Sequence, residues 1–397
     1  MLKSYILVAL RNLWRHRGYT LINIFGLTIG LASSIFILLY VINELSYDRF
    51  HENSDRIYRV WIEGSMPATE MRHAVTAPPM AQALLNDYPE VENAVRMRKS
   101  GGWLVKKGDR RFMETEEDFA FADSTFFDVF SFNLLRGDPR TCLRDPRSIV
   151  LTETYARKYF GEEDPLGQTL QIEQDTNVSV VTGVMEDFPQ NSHFHYNMLG
   201  SLSTLGSSRG MEWVNHNFYT YVVLREGTDP VEFESRLREM VLKYVGPAIS
   251  EFMGVDVEQF EAAGNSYGYK IQKITDIHLH SDLQYEQEPN GNPLYVFIFL
   301  VAAILILVLA GVNFMNLATA RSTVRSREVG LRKVVGSKRS QLIGQFLTES
   351  VILALFALVV AVVLVFLFLP RYNNLIQLRL TFDLLETWWM IPGLTGF

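Results

Sequence analysis

Three stretches of the chain carry no charged side chain. They run from Gly18 to Asn43 (26 residues), from Pro289 to Ala320 with the densest apolar part from Leu294 to Val312, and from Ser350 to Pro370 (21 residues). A helix covers the hydrocarbon core of a bilayer with about 20 apolar residues, so each stretch predicts a membrane span. The first is too long for a cleaved signal peptide, whose apolar region spans roughly 7–15 residues. The Glu44-Leu45-Ser46 that follows offers no small-x-small cleavage site, so it reads as an uncleaved anchor.

Between the first two spans the pattern changes to alternating strand and helix signals. Ile57 to Glu63 predicts a strand, Thr76 an N-cap with Pro78 and Pro79 in the first turn of a helix toward Tyr88, and Val91 to Arg98 a second strand. Asn217 to Arg225 predicts a strand, Asp229 to Val245 a helix with Pro230 at its start and Gly246 after its end, and Tyr267 to Ile274 a strand. Two β-α-β units therefore bracket the region. A strand-rich insert lies between them, punctuated by turns at Gly101-Gly102, Gly137-Asp138-Pro139 and Asp164-Pro165-Leu166-Gly167. The expected fold class is a membrane protein with α-helical spans and an α+β extracytoplasmic domain carrying an inserted subdomain.

Composition sharpens this picture. Hydrophobic residues make up 48% of a chain that is also 20% charged, which fits apolar residues gathered in blocks. A net charge of −7 argues against nucleic acid as a partner. The single cysteine, Cys142, excludes an internal disulfide and a cysteine-based zinc site. Basic residues flank the spans unevenly. Lys3, Arg11, Arg15 and Arg17 precede the first, and Arg321, Arg325, Arg327, Arg332, Lys333, Lys338 and Arg339 separate the second from the third. Both segments are expected in the cytoplasm by the positive-inside rule. Residues 44–288 hold 24 basic against 40 acidic side chains and are expected outside. The chain thus divides into a cytoplasmic amphipathic helix on membrane lipid (1–17), a span (18–43), an outer domain (44–288), a span (289–320), a cytoplasmic segment (321–349), a span (350–370) and an outer tail (371–397).

Candidate chemistry is sparse. Gly336-Ser337-Lys338 lacks the upstream glycine and strand of a phosphate loop, so no ATP site is expected on this chain, and no catalytic residue, cofactor or metal is assigned. His193 with His195, and His278 with His280, could each present two imidazoles on one face of a strand, but nothing places the pairs together. Strand-end or loop histidines satisfied by backbone are the simpler reading. Glu114 to Asp118 reads as a solvated charged turn, and Cys142 has basic neighbours but no evident reaction partner. Gly26, Gly30 and Ser34 recur every fourth residue, a small-residue stripe that lets another helix approach, while Asn313 and Asn316 suit interhelical hydrogen bonds.

Several motifs resemble a known family. They are Arg11-Asn12-Leu13 through Gly26-Leu27-Thr28-Ile29-Gly30-Leu31-Ala32, Tyr47-Asp48-Arg49-Phe50-His51, Ile57-Tyr58-Arg59, Ser148 to Glu153 with Lys158-Tyr159-Phe160-Gly161, Val181 to Val184, and Asp187-Phe188-Pro189. The most specific runs from Asn313-Phe314-Met315-Asn316-Leu317 through Arg327-Glu328-Val329-Gly330-Leu331-Arg332-Lys333 to Glu349-Ser350. The chain resembles the MacB/FtsX-like permease subunits of ABC transporters, in the branch with a large periplasmic core domain common in Bacteroidetes-type bacteria. The resemblance implies an inner-membrane protein whose periplasmic domain has porter-like β-α-β units and is moved by ATP hydrolysed on a cytoplasmic ABC ATPase. It implies docking of that ATPase on Glu328, Gly330, Arg332, Lys333, Gly336 and Arg339, pairing with a second permease half or a second copy, and a periplasmic adaptor as a further partner. A membrane-anchored sensor that recruits a partner without transport is the alternative. Family members continue into a fourth span, so the resemblance reads a chain that stops at Phe397 as the N-terminal half of a longer protein, or a split or truncated one.

Overall fold

The computed structural model describes residues 11, 14, 17–66, 69–115, 118–172, 178–334, 339–378 and 380–382, with side chains left out at 321–329, 332 and 333. Two compact units emerge. One comprises the long apolar helices of Met1–Leu45 and Pro293–Phe397, and the other is Ser46–Asn292.

The first and third charge-free stretches lie within helices Arg17–Leu45 and Arg339–Ile376, while the second enters helix Pro293–Val334 only from Pro293, four residues after the expected start at Pro289. Each helix is long and apolar enough to cross a membrane. The second and third are longer than their apolar parts, so the segment between them is helical up to Val334 and again from Arg339. The expectations for the amphipathic helix over 1–17 and for the tail beyond 382 fall largely outside the described residues. Helix Arg17–Leu45 packs against both other helices, burying Leu31, Ala32, Ile35 and Leu39 with Ala357, Ala361 and Val365. Many other apolar side chains of these helices, such as Phe297, Leu309, Val359 and Leu367, remain exposed, as lipid-facing positions do.

The second unit is built on strands β1 (Ile57–Met66), β2 (Thr69–His73), β3 (Val91–Lys99), β4 (Trp103–Lys107), β5 (Arg110–Glu114), β6 (Phe119–Ala122), β7 (Leu134–Arg136), β8 (Ser148–Thr152), β9 (Thr169–Ile172), β10 (Val178–Met185), β11 (Met198–Ser201), β12 (Tyr219–Leu224) and β13 (Ser266–Lys273). The order β13-β1-β12-β3 is that of a split β-α-β fold, with helices Met80–Asp87 and Pro230–Met240 as its crossovers. The sheet continues through β6-β11-β8-β10-β9-β4-β5, so the insert extends the same ladder. Only β6–β11 and β8–β10 run parallel among the described pairs.

Period-two alternation distributes the core. Tyr219, Tyr221 and Val223 of β12 face an aromatic cluster with Phe126, Phe130, Phe132 and Phe194. Val222 and Leu224 face Met80, Leu84, Phe233 and Leu237 of the crossover helices. A separate cluster, with Phe119, Ile149, Tyr159 and Leu170, fills the insert.

Two expectations need correction. Thr76 does not cap the first crossover helix. Its hydroxyl donates to the Phe218 carbonyl at 3.2 Å and meets the Thr220 hydroxyl at 2.7 Å, and Pro79 occupies the cap position. A Thr76 side chain used inside the sheet is lost to the helix. The second crossover does not end at Gly246 either. Asp229 caps it through Val231 N at 2.9 Å, but after Met240 the chain makes a wide turn over Val241–Val245 and a further helix, Gly246–Met253, begins. At Gly137, φ is +101° and a Cβ would come 2.5 Å from the Thr182 carbonyl oxygen, so this turn requires glycine.

Candidate functional site

The small-residue stripe of the first long helix lies against the second. A Cβ added at Gly26 would sit 3.0 Å from Asn313 Nδ2, and one at Gly30 only 2.6 Å from Ala310 Cβ. Ser34 Oγ donates to the Ala303 carbonyl at 3.1 Å. Asn313 thus sits beside the stripe, and both Asn313 and Asn316 are exposed. On the opposite side, Thr28 donates to the Ala357 carbonyl of the third long helix at 3.3 Å. Absent side chains at Gly26 and Gly30 let two backbones approach, which is how helices associate where lipid removes the hydrophobic drive between them.

The basic segment that follows is mostly helix. Glu328, Gly330, Arg332 and Lys333 lie on the last turns of Pro293–Val334, and Arg339 opens Arg339–Ile376. Gly330 and Arg339 are exposed, and open space surrounds a Cβ built at Gly330. The side chains of Glu328, Arg332 and Lys333, and the whole of Gly336 and Ser337, lie outside the described residues.

The histidine pairs are not brought together, and neither lies on a strand. His193 and His195 sit in the loop between β10 and β11, His278 and His280 on helix Ile274–His280. His193 Nδ1 stands 2.9 Å from Asp48 Oδ1 and its Nε2 is 2.7 Å from the Tyr221 hydroxyl. His195 pairs with Glu288, and His278 stacks on Tyr47 with ring centroids 3.3 Å apart. Among the described residues no group of three or more His, Cys, Asp or Glu is arranged to hold a metal ion. Cys142 is buried, and that burial pushes its thiol up to about 11, away from nucleophilic use.

Glu114 is not solvated. It accepts hydrogen bonds from Lys158 Nζ at 2.6 Å, Tyr159 at 2.7 Å and Tyr155 at 3.0 Å, with a side chain only 1% exposed. Burial raises both tyrosine pKa values, joined at Tyr159 by the Glu114 bond and at Tyr155 first by its 2.7 Å bond to Asp118 and then by Glu114. Arg59, fully buried, is held by Glu286, by Gln272 at 2.8 Å and by Ser281 at 2.9 Å. Its place in Ile57-Tyr58-Arg59 within a buried strand was the available signal, but its partners lie more than two hundred residues on.

Two family models match the chain. The MacB-like periplasmic core domain covers residues 20–240, and the FtsX-like permease C-terminal model covers residues 300–397. The chain belongs to the MacB/FtsX-like permease family. A MacB macrolide export ATP-binding/permease protein of Burkholderia thailandensis is 23% identical over 371 residues, 90% of this chain and 51% of the relative. A pyoverdine export ATP-binding/permease protein of Pseudomonas syringae is 22% identical, over 88% of this chain and 49% of the relative. The chain therefore spans about half the length of these relatives. A permease-protein domain from Porphyromonas gingivalis superposes with a TM-score of 0.49 at 25% identity, covering 57% of this chain and 92% of that one.

Family membership gives the pieces their setting. The mixed sheet of the second unit is a MacB-like periplasmic core domain, and the apolar helices belong to a membrane-spanning permease. The Gly26–Ser34 stripe faces helix Pro293–Val334 of that permease part.

Proposed function

We propose that the chain is the permease subunit of an ABC transporter that carries conformational change from a cytoplasmic ATPase to its periplasmic domain, driving export or extrusion of a substrate. The observation that carries this reading is the occurrence of both family matches on one chain, core domain and permease. ATP hydrolysis would be supplied by a partner ABC ATPase, since the chain carries no phosphate-loop motif. The permease would work beside a second permease half or a second copy, with a periplasmic adaptor as an additional partner and the N-terminal segment on membrane lipid.

In this reading Glu328, Gly330, Arg332, Lys333, Gly336 and Arg339 form the ATPase-docking surface. Gly330 is exposed with space around it, so a large side chain there would obstruct a partner without disturbing its own fold. Glu328→Lys and Gly330→Trp are expected to lower recovery of the co-expressed ATPase by at least about tenfold, because a like charge or a bulky ring at a docking face costs more than the ~1.4 kcal/mol that a tenfold change in affinity represents. Insertion and folding of the periplasmic domain should be unchanged. Undiminished co-purification with full stimulation of ATPase activity in both variants would overturn the docking assignment.

A further inference from the structure

The chain enters the second unit at Ser46, directly after helix Arg17–Leu45, and leaves it at Asn292, directly before helix Pro293–Val334. One loop, between β10 and β11, grips both the entering and the leaving segment. On the entering side the Asp48 amide donates to the Asn191 carbonyl at 2.7 Å, and Asn191 Nδ2 donates to the carbonyl and hydroxyl of Ser46 at 3.0 and 3.1 Å. Asp48 Oδ1 accepts the His193 amide at 3.2 Å. Asp48 itself is fully buried with φ of +57°, a left-handed conformation that Asp tolerates better than most residues. On the leaving side Glu288 Oε1 accepts the His195 amide at 2.5 Å, and Glu288 Oε2 lies 2.9 Å from His195 Nδ1. His195 Nε2 is 2.9 Å from the Pro189 carbonyl, which closes the loop on itself.

Between these two grips the loop is pegged into the core. Phe194 is fully buried and its ring meets Phe130, Phe132, Phe188 and Tyr196. A buried polar relay joins the two sides. His193 Nε2 meets the Tyr221 hydroxyl at 2.7 Å, Gln287 Nε2 donates to that hydroxyl at 2.7 Å, and the Tyr196 hydroxyl donates to Gln287 Oε1 at 2.7 Å. Gln287 is the residue before Glu288. A contiguous set of bonds thus runs from Ser46 and Asp48, through the loop and β12, to Gln287 and Glu288. This largely buried loop therefore holds residues on both segments through which the chain enters and leaves the domain.

We propose that residues 189–195 form a two-point joint through which displacement of either membrane-linking segment is carried into the periplasmic domain. This rests on the transmission reading above and names the residues of the domain that receive the motion. Asn191, His193 and His195 are positioning residues, because they act through the segments they hold.

The test is amide hydrogen exchange on the full chain in lipid nanodiscs, without ATPase or nucleotide. Asn191→Ala should speed exchange over residues 46–52, and His195→Ala over residues 284–290, each by about ten- to a hundredfold, the range that follows from losing a charge-assisted or multiple hydrogen bond. The double variant should loosen both segments, and Glu288→Gln, which keeps an acceptor, should loosen 284–290 less than His195→Ala. Exchange in β8 should stay at the wild-type rate. Unchanged exchange in both segments would overturn the joint, and so would a rise spread evenly over the whole domain, which would mark a general stability role. Since no ATP enters the measurement, either negative result leaves the transmission reading to the co-purification test.

Discussion

At the residue scale the informative groups are histidines whose partners come from far along the chain. Burial pulls the His195 imidazole pKa down, but the hydrogen bond and charge of Glu288 outweigh it and leave it raised above 6.5, with the Pro189 carbonyl and Asp48 adding to the effect. Stabilisation from this pair is complete below the ordinary imidazole value and is lost as pH rises through the raised one. His51 behaves in the opposite sense. Burial lowers it to about 4, with Asp48 opposing and His193 reinforcing, so it is neutral in the fold and its contribution is lost as pH falls from about 6.5 toward 4. Titration of 13C-labelled histidine in the full chain should therefore give His195 a midpoint above 6.5, and Glu288→Gln should bring it back to or below that value. An identical midpoint in wild type and Glu288→Gln would show that the carboxylate does not set it. None of this was legible in the H-x-H spacing. The simpler reading, loop histidines satisfied by backbone, fits the loop position of His193 and His195 but not their partners, which are the distant carboxylates of Asp48 and Glu288. Glu114 was misread for the same reason. Its acidic neighbours suggest solvent, and the lysine and tyrosines that enclose it come from helix Glu153–Phe160.

At the element scale, features written in local composition were readable. Absence of charge over twenty or more residues marks the long helices, because such a run has no other stable solution in a membrane. Asp229-Pro230 marks the start of the second crossover helix because cap and φ restriction act within a turn. Strand partnership was not readable, since pairing β3 with β6 and β12 joins residues up to about 130 positions apart and leaves no local trace. The small-residue stripe lies between these cases. Its spacing is local, but the helix it faces is known only from the fold. Gly30 gives this contact a sharp consequence, because a methyl there meets Ala310 Cβ at 2.6 Å, while one at Gly344 meets nothing within 4 Å. Gly30→Ala should destabilise the helix bundle by about 1–3 kcal/mol through overpacking. Gly344→Ala should be neutral or stabilising by up to about 1 kcal/mol, since alanine favours the helix. Denaturant unfolding in mixed micelles reads both, and equal effects at the two positions would remove the close contact as the cause.

At the scale of the whole molecule, charge and connectivity decide which side of the membrane each part occupies. If each long apolar helix crosses once, residues 46–292 join membrane helices at both ends and must lie on one side, while the segment between the second and third helices lies on the other. Seven Lys and Arg over 321–349 face two acids, and four basic residues with no acid precede the charge-free stretch Gly18–Asn43. Positive side chains close to a span resist translocation, whereas acidic residues in a long domain have little influence. The basic segments should therefore remain cytoplasmic and the 46–292 domain periplasmic. Glu226→Cys and Ser340→Cys test this, both at exposed positions. Cys142 is buried with a raised thiol pKa, so it should contribute little background while the domain is folded. With the outer membrane permeabilised, a membrane-impermeant maleimide should label Glu226→Cys in intact cells, and Ser340→Cys only after the inner membrane is opened. Labelling of Ser340→Cys without Glu226→Cys in intact cells would invert the topology and, with it, place the proposed ATPase-docking segment on the side where no ATPase could reach it.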